Sequence, residues 1–504
     1  MRMWGRRYKL SPVGLTELEN QGTRLLSGPC RLEAQINGKP VTAVDLSVRL
    51  GRHTDAWAEF EGRGRLSSVR LASRLRAEFD GLLTVDLTLE PEAVCSLEAL
   101  RWVLPLRAGA ATLMHYPGLT WREAKGGMIP QGEDLVWKSD KFMPFLWAGD
   151  EDRGVMWFGE SDQGWRIAKD KPCLYLRRQG DSVEMVIEPV SERRDLGSAW
   201  TWSFGLMATP VKPLPPDWRK WRLEPGRGAN VSIVWPSPSL IKYFGYPWPT
   251  TPEDYRKMVE SKHAQGIKVV PYSCLTFLSE ASPEWSAFSE EWAVPGVADR
   301  TSSDVGAYNV GFMGVCPGAE GWADFAVWAN KRYMNTFELD GLYHDNTFPY
   351  ACNNELHGHG WQEEGQRNRR SVYPILAHRR LYRRIYAMMK DLGRETYMMA
   401  HMSGRVNMPV LSFTDAYLDG EHFRSWVDDD YRKVLPLDQF RAEFMGRQWG
   451  IMPVFLPELG EKARQTREAT RQMLSMTLLH DTPVWAIWCS TPAVDEVRRA
   501  LDEF

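Results

Sequence analysis

Alternating apolar and polar residues dominate the N-terminal part of the chain. Residues 83–89 place leucine or valine at every second position, with threonine or aspartate between them. This is the period of a half-buried β-strand. Asp80-Gly81 precedes this segment, Asn37-Gly38 separates two further alternating runs, and Gln179-Gly180-Asp181 separates another two. Because Asp-Gly and Asn-Gly favour the tight turns of β-hairpins, the region predicts an antiparallel β-sandwich.

A proline-rich stretch ends this pattern. Residues 208–218, ATPVKPLPPDW, contain four prolines, and proline fits neither a helix interior nor a central strand. Beyond it, short apolar runs alternate with segments of helical period, which is typical of repeated βα units around a parallel sheet. The predicted strands are 231–235, 267–274, 339–345, 396–401, 415–422, 451–458 and 483–489, with a further candidate at 310–316.

Seven or eight βα units fit a closed barrel better than a doubly wound sheet. No GxGxxG or phosphate-binding loop follows the first strand, which weighs against a nucleotide-binding fold. The predicted fold class is therefore multidomain β plus α/β, with an N-terminal antiparallel β-sandwich and a (β/α)8-type TIM barrel. The predicted domains are a β-sandwich domain at 1–209, a Pro-rich linker at 210–227 and a (β/α)-barrel catalytic domain at 228–504.

Composition narrows the class of ligand. The chain has 23 Trp and 12% aromatic residues. Most of these rings are expected in cores, but flat rings also stack on sugars, so the excess favours a carbohydrate. The net charge of −3 provides no field for nucleic acid or an anionic membrane. The start of the chain lacks the apolar core of a signal peptide. We expect a soluble chain, either cytoplasmic or exported with its signal removed.

Candidate catalytic residues follow from the barrel, whose active site lies at the carboxyl ends of the strands. Glycoside hydrolysis usually needs two carboxyl groups. Asp345 and Glu421 stand at two strand ends and could supply them, with Asp419 the main rival of Glu421. Other residues at strand ends or in the loop after Asp345 are predicted to bind substrate: Trp235, Tyr272, Tyr343, His344, Asn346, His357, His401, His422, Trp485 and Trp488.

Metal and nucleic-acid sites are not expected. Cys352, His357 and His359 suggest metal ligands, but their spacing matches no standard zinc pattern. The seven cysteines are scattered without a CxxC pair, so neither a disulfide framework nor a zinc knuckle is predicted. We therefore predict no metal and no cofactor. The arginine-rich segments within 367–386 predict a solvated helix face rather than a nucleic-acid surface.

Several segments together resemble the glycoside hydrolase family 123-like group. They are PFLWAGDEDRGVMWFGESDQGW (144–165), ATPVKPLP (208–215), LTFLSEASPEW (275–285), VCPGAEGW (315–322) and DGLYHDNTFP (340–349). The resemblance implies a β-sandwich before a barrel, and β-N-acetylgalactosaminidase activity. It also implies retention assisted by the substrate: the sugar's 2-acetamido oxygen attacks the anomeric carbon, an acidic residue donates the proton, and a neighbour orients the acetamide.

This sequence departs from the family in one respect. The family places an adjacent Asp-Glu pair at a barrel strand end. Here the Asp-Glu pairs at 150–151, 495–496 and 502–503 lie outside the predicted strand ends, and Asp345-Asn346 stands at one instead. The departure indicates a related but distinct family.

Three hypotheses remain. The first is an exo-acting β-N-acetylhexosaminidase whose substrate is a GalNAc-containing glycan or glycoside. The second is a retaining two-carboxylate glycosidase of α-galactosidase-like type, with Asp345 as the nucleophile and Glu421 or Asp419 as the acid/base. The third is a non-catalytic carbohydrate-binding protein, which activity on nitrophenyl glycosides would exclude.

Overall fold

The computed structural model describes residues 1–118, 123, 125–363, 365–402, 404–423, 426–428 and 430–503. The chain divides into two compact units. The first comprises Met1–Pro117, Gly126–Pro213 and Arg447–Gly450, and the second comprises the rest of the described chain. No helix among the described residues is long and apolar enough to cross a membrane.

The first unit is built from antiparallel sheets. A nine-stranded sheet has the order Gly126–Met128, Leu113–His115, Phe145–Gly149, Gly154–Phe158, Trp200–Thr209, Leu82–Pro91, Val69–Glu78, Trp57–Leu66, Val44–His53. A seven-stranded sheet has the order Asp134–Ser139, Leu174–Gln179, Ser182–Val190, Cys95–Arg107, Arg31–Ile36, Lys39–Thr42, with Arg194–Leu196 also paired to Cys95–Arg107. A small sheet contains Arg2–Met3, Arg6–Ser11, Gly14–Asn20 and Thr23–Arg24, and a 3-10 turn spans Ala108–Ala110.

The hairpins in this unit are those that the turn residues predict. Asp80-Gly81 joins Val69–Glu78 to Leu82–Pro91, and Asn37-Gly38 joins Arg31–Ile36 to Lys39–Thr42. The inward-facing side chains of both large sheets form one core, in which Leu87 of the first and Trp102 of the second are fully buried. The antiparallel part of the predicted fold is therefore present.

The second unit is built on a parallel sheet. Six strands pair in sequence order: Val231–Val234, Lys268–Cys274, Gly341–Asp345, Tyr397–His401, Ala416–Asp419 and Met452–Phe455. The α-helices are Pro252–Ala264, Pro283–Trp292, Ser303–Tyr308, Glu320–Phe337, Ile375–Lys390, Met408–Leu411, Tyr431–Val434, Leu437–Phe444, Glu461–Arg464, Arg467–Leu479 and Thr491–Leu501. Short 3-10 turns occur at Trp218–Lys220 and Glu355–His357.

A closed eight-stranded TIM barrel is not confirmed. The predicted strand 483–489 is reduced to a single parallel bridge between Val484 and Phe455. The candidate at 310–316 does form a strand, but it is the centre of a separate antiparallel sheet, in the order Phe277–Ser279, Phe312–Val315, Ala293–Asp299. Both segments are apolar, but apolar character alone does not specify a position in the parallel sheet.

Candidate active site

Three neighbouring parallel strands end at the same edge of the sheet, and each ends on a titratable residue. Asp345, His401 and Asp419 are the last residues of their strands. The ring of His401 lies between the acids. Its Nδ1 is 2.9 Å from Asp345 Oδ1 and its Nε2 is 3.5 Å from Asp419 Oδ1. The same Nε2 is 3.4 Å from Oε2 of Glu421, which follows the third strand.

Asp345 is held as an anion by donors on both of its oxygens. The Tyr272 hydroxyl donates to Oδ2 at 2.7 Å, and the backbone N–H of Asn346 donates to Oδ1 at 2.7 Å. Burial favours the neutral acid, but His401 and these donors hold the pKa of Asp345 below its usual value. The side chain is 16% exposed. Asp345 is therefore an ionised carboxylate that solvent can reach.

Glu421 has the opposite protonation tendency. Burial raises the pKa of Glu421 to about 7, and the nearby carboxylates of Asp345 and Asp419 add to the rise against the opposing charge of His401. Its side chain is 21% exposed. A carboxyl group with such a pKa holds a proton near neutral pH and can still release it, which is the requirement for a general acid.

Asp419 lies deeper than the other acids and is completely buried. It accepts hydrogen bonds from the backbone N–H of Gly404 at 2.5 Å and of Gly420 at 2.7 Å. His422 Nδ1 lies 2.8 Å from Asp419 Oδ1, and His422 Nε2 lies 2.6 Å from Oε2 of Glu443. Burial opposes charge on His422, but the two carboxylates raise its pKa to about 10. With no exposed surface, Asp419 and His422 are suited to position His401 rather than to contact a sugar.

The turn that presents Glu421 requires glycine at position 420. The backbone of Leu456 approaches Gly420 so closely that a Cβ there would lie 1.9 Å from the Leu456 carbonyl oxygen. The N–H of Leu456 also donates to the Asp419 carbonyl at 2.8 Å. This contact with the neighbouring strand fixes the turn between Asp419 and Glu421.

Aromatic rings line the same edge. Trp235 follows the first strand, is 42% exposed and packs edge-on against Tyr272 with the ring centroids 4.7 Å apart. The centroid of Trp485 lies 6.2 Å from that of Trp235. The Tyr343 hydroxyl lies 2.9 Å from His401 Nδ1. Tyr272, Tyr343 and Trp485 are buried, so Trp235 is the ring of this group that can stack on a ligand.

Replacing Trp235 with alanine should raise KM about fivefold to tenfold, because the ligand loses the ring on which it can stack. A tenfold rise corresponds to about 1.4 kcal/mol of lost binding free energy. The ring is half exposed, so we expect the melting temperature to change little. Trp328→Ala is the matched control, because Trp328 is 56% exposed on the helix Glu320–Phe337. A fall in melting temperature at unchanged KM would assign Trp235 to packing.

Of the residues predicted to bind substrate, His344 is directed away from the carboxylates. His344 points to the opposite face of its strand from Tyr343 and Asp345, because successive side chains in a strand alternate. It is fully buried near Tyr382, with ring centroids 5.8 Å apart, and burial lowers its pKa to about 3. This corrects its predicted role. Trp488 packs on Trp426, at 5.2 Å between centroids.

The remaining predicted residues fall into two places. Asn346 borders the carboxylate cluster through its backbone, donating to Asp345 and accepting from the Thr276 hydroxyl at 3.2 Å. His357 belongs to a different group, with Cys316, Cys352 and His359, whose ligand atoms all lie within 4.8 Å of one another. The residue types of that group suit a metal ion, contrary to the prediction of no metal site.

The structure adds two residues that the sequence did not single out. Asp304, on the helix Ser303–Tyr308, hydrogen-bonds Trp235, and burial together with the charge of Asp345 raises its pKa. Arg405 has a lowered pKa through burial and interacts electrostatically with Asp419. Neither stands at a strand end, so the search for residues at the carboxyl ends of strands could not find them.

Comparison with known proteins identifies two matched regions. Residues 11–163 match the sequence model of the third domain of glycoside hydrolase 123, which confirms the resemblance to that family-like group. Residues 190–366 match a domain of unknown function, DUF6259. A search of curated proteins found no match.

The solved structures that match this chain are distant in sequence. The galactosidase domain of the α-galactosidase-sucrose kinase AgaSK has a TM-score of 0.49 at 9% identity, covering 98% of this chain and 76% of that one. The GH36 α-galactosidase AgaA from Geobacillus stearothermophilus has a TM-score of 0.48 at 8% identity, and the match covers 95% of this chain and 76% of that one. The α-N-acetylgalactosaminidase NagBb from Bifidobacterium bifidum has a TM-score of 0.43 at 11% identity, and the match covers 97% of this chain and 88% of that one.

Proposed function

Given that this chain is related to the glycoside hydrolase 123 family through residues 11–163, we propose that it is a retaining glycosidase with its active site around His401. Glu421 protonates the glycosidic oxygen, and Asp345 is the carboxylate that acts at the anomeric centre. The observation that carries this proposal is that two carboxyl groups at the same edge of the sheet have pKa values shifted in opposite directions. The pKa of Asp345 is lowered and that of Glu421 is raised. Such a division matches the separate roles of acid and anion in glycoside hydrolysis.

The substrate that we propose is a β-linked N-acetylhexosamine, most specifically N-acetylgalactosamine, released by acetamido assistance. The family 123 match favours this version. Asp345 then accepts the acetamide N–H and orients the acetamido oxygen towards the anomeric carbon. The carbonyl oxygen forms the new bond to that carbon while Glu421 transfers its proton to the leaving oxygen. Water then gives a proton to the Glu421 carboxylate and attacks the anomeric carbon from the face that the leaving group occupied. The bond between that carbon and the acetamido oxygen breaks, so the configuration is retained.

Direct nucleophilic attack by Asp345 is the second candidate. The observation that favours it is the ionised state of Asp345, since a covalent glycosyl intermediate forms on a carboxylate anion. In this version Glu421 has the same role as acid and later as base. The two candidates therefore differ in what Asp345 does and in whether the sugar needs an acetamido group.

A panel of nitrophenyl glycosides tests the proposal. We expect hydrolysis of β-GalNAc or β-GlcNAc, and strong inhibition by a GalNAc thiazoline, because it mimics the cyclic intermediate and such analogues bind more tightly than substrate. Hydrolysis of α-galactosides without thiazoline inhibition would instead favour attack by Asp345. No hydrolysis of any member, with sugar binding retained, would support a non-catalytic carbohydrate-binding protein.

The pH dependence of kcat/KM should show an alkaline limb near pH 7. Glu421 can donate a proton only below its folded pKa of about 7, so activity falls as the pH rises through that value. The acid limb should lie below pH 4, because Asp345 must be ionised and its pKa lies under the usual 3.8. A kcat/KM profile measured on a nitrophenyl substrate checks both limbs.

Glu421→Gln should remove the alkaline limb and lower the rate about 10²–10⁴-fold on substrates with poor leaving groups. A dinitrophenyl glycoside should be largely spared, because its leaving group needs no protonation. Retention of the limb in this variant would assign the acid to another residue.

A further inference from the structure

A second cluster of reactive side chains lies apart from the carboxylates of the active site. Cys316, Cys352, His357 and His359 bring two sulfurs and two imidazole nitrogens within 4.8 Å of one another. Both cysteines are fully buried free thiols. Two thiols and two imidazoles converging on one point form the ligand set of a structural zinc site.

The distances within the cluster match those around a tetrahedral ion. Cys316 Sγ lies 3.4 Å from His359 Nδ1, and Cys352 Sγ lies 3.3 Å from His357 Nδ1. Zinc binds sulfur at about 2.3 Å and nitrogen at about 2.0 Å, so tetrahedral ligands of these two kinds stand about 3.5 Å apart. These two sulfur–nitrogen pairs therefore already have nearly the spacing that one ion would impose, and the other pairs of ligand atoms lie within 4.8 Å.

The surroundings of His357 are those of a metal ligand. Its Nε2 lies 2.5 Å from the backbone carbonyl oxygen of Glu291. Donation of Nε2–H to this oxygen leaves Nδ1 as the lone-pair nitrogen, and Nδ1 is the atom that faces Cys352. Metal-bound histidines almost always donate their other ring N–H to a carbonyl or carboxylate in this way.

The backbone is shaped around the two sulfurs. The N–H of Gly318 donates to Cys316 Sγ at 3.4 Å, and the N–H of Asn354 donates to Cys352 Sγ at 3.5 Å. These donors would stabilise thiolates, the form in which cysteine binds metal. A Cβ on Gly318 would lie 2.3 Å from the His359 ring. Glycine at position 318 therefore allows His359 to approach.

We propose that Cys316, Cys352, His357 and His359 bind one zinc ion as a structural site. Four protein ligands leave no open position for a substrate, unlike a catalytic zinc site. Binding releases the thiol protons to solvent and leaves two thiolates and two neutral imidazoles on Zn²⁺. The ion would tie the segment after Asp345 to Cys316, directly after the strand Phe312–Val315.

The first test is metal analysis of the full chain, purified under reducing conditions without chelator. We expect one zinc per chain. After exchange with Co²⁺, we expect the visible absorption of a tetrahedral ion together with a sulfur-to-cobalt charge-transfer band. Zinc well below one per chain after incubation with Zn²⁺, or a cobalt spectrum without the thiolate band, would overturn the proposal. A Cys316–Cys352 disulfide, found by mass spectrometry of the same preparation, would also overturn it.

Variants locate the site. Cys352→Ser and His357→Asn should each weaken zinc binding more than about a hundredfold, because loss of even an outer-shell partner costs about 10–100-fold. Cys489→Ser is the matched control, since Cys489 is also a buried free thiol of the second unit. Equal zinc content in all three would place the metal elsewhere. If a ligand variant fails to fold, the stoichiometry and cobalt spectrum of the unaltered chain still decide the question.

Discussion

Asp345→Asn should lower kcat/KM on a β-N-acetylhexosaminide by about 10³-fold or more, with little change in substrate binding. The substitution keeps the shape of the side chain but removes the negative charge that orients the acetamide or, in the second candidate mechanism, attacks the anomeric carbon. Loss of one preorganised polar group from a transition state commonly costs about 10²–10³-fold, and a full charge costs more. Steady-state kinetics on a nitrophenyl substrate measures the effect. Asp391→Asn is the control, because Asp391 is an exposed acid after the helix Ile375–Lys390.

The same residue separates the two mechanisms. A 2-deoxy-2-fluoro glycoside should leave no covalent adduct if Asp345 only orients the acetamide, because that sugar lacks the internal nucleophile. An adduct on Asp345, identified by peptide mass spectrometry, would establish attack by the carboxylate and contradict acetamido assistance. Full activity of Asp345→Asn would contradict both versions.

Glu443→Gln should lower the free energy of unfolding by about 3 kcal/mol, because removing one partner of a buried ion pair is strongly destabilising and His422 then keeps only Asp419 as a counter-charge. Both Glu443 and His422 are fully buried, and their side-chain atoms lie 2.6 Å apart. Urea unfolding near pH 7 measures the loss. Glu468→Gln is the control, because Glu468 is exposed and its carboxylate accepts a hydrogen bond from Gln472. A loss no larger than in the control would show that the pair contributes little.

This ion pair also predicts how stability depends on pH. The folded pKa of His422 is about 10, against a usual value of 6.5. A raised histidine pKa contributes stability that is fully present below pH 6.5 and is lost as the pH rises towards 10. The free energy of unfolding should therefore decline across this window, and it should decline less in Glu443→Gln. An identical slope in both proteins would assign the titration to other groups.

Local signals in the sequence account for much of the fold. Turn residues such as Asp80-Gly81 specify hairpins through backbone conformation alone, and the structure has those hairpins. Strand and helix alternation in the second unit is equally local. Whether segment 483–489 joins the sheet depends on distant partners, and only Val484 pairs there. Closure of a barrel is a property of the whole sheet, so counting apolar runs could not decide it.

For the candidate site, too, local signals in the sequence predicted one part and tertiary contacts determine the rest. Because parallel strands end at one edge, their positions alone predicted that Asp345, His401 and Glu421 would meet, and all three do. The direction of each side chain was harder to predict: His344 adjoins Asp345 in sequence but faces the other side of the strand. Cys316 joins His357 and His359 only through tertiary contacts between separate segments, so the short-range spacing of zinc motifs did not reveal that cluster.

Carboxylates outnumber imidazoles around His401 even while Glu421 holds its proton. Three carboxylates, those of Asp345, Asp419 and Glu458, act electrostatically on Glu421 against the single opposing charge of His401. The electrostatic potential at Glu421 is therefore negative. A neutral sugar benefits from it only as positive charge develops on its ring during reaction. A protonated iminosugar carries that charge beforehand, so it should bind more tightly than its neutral isostere, and high salt should narrow the difference.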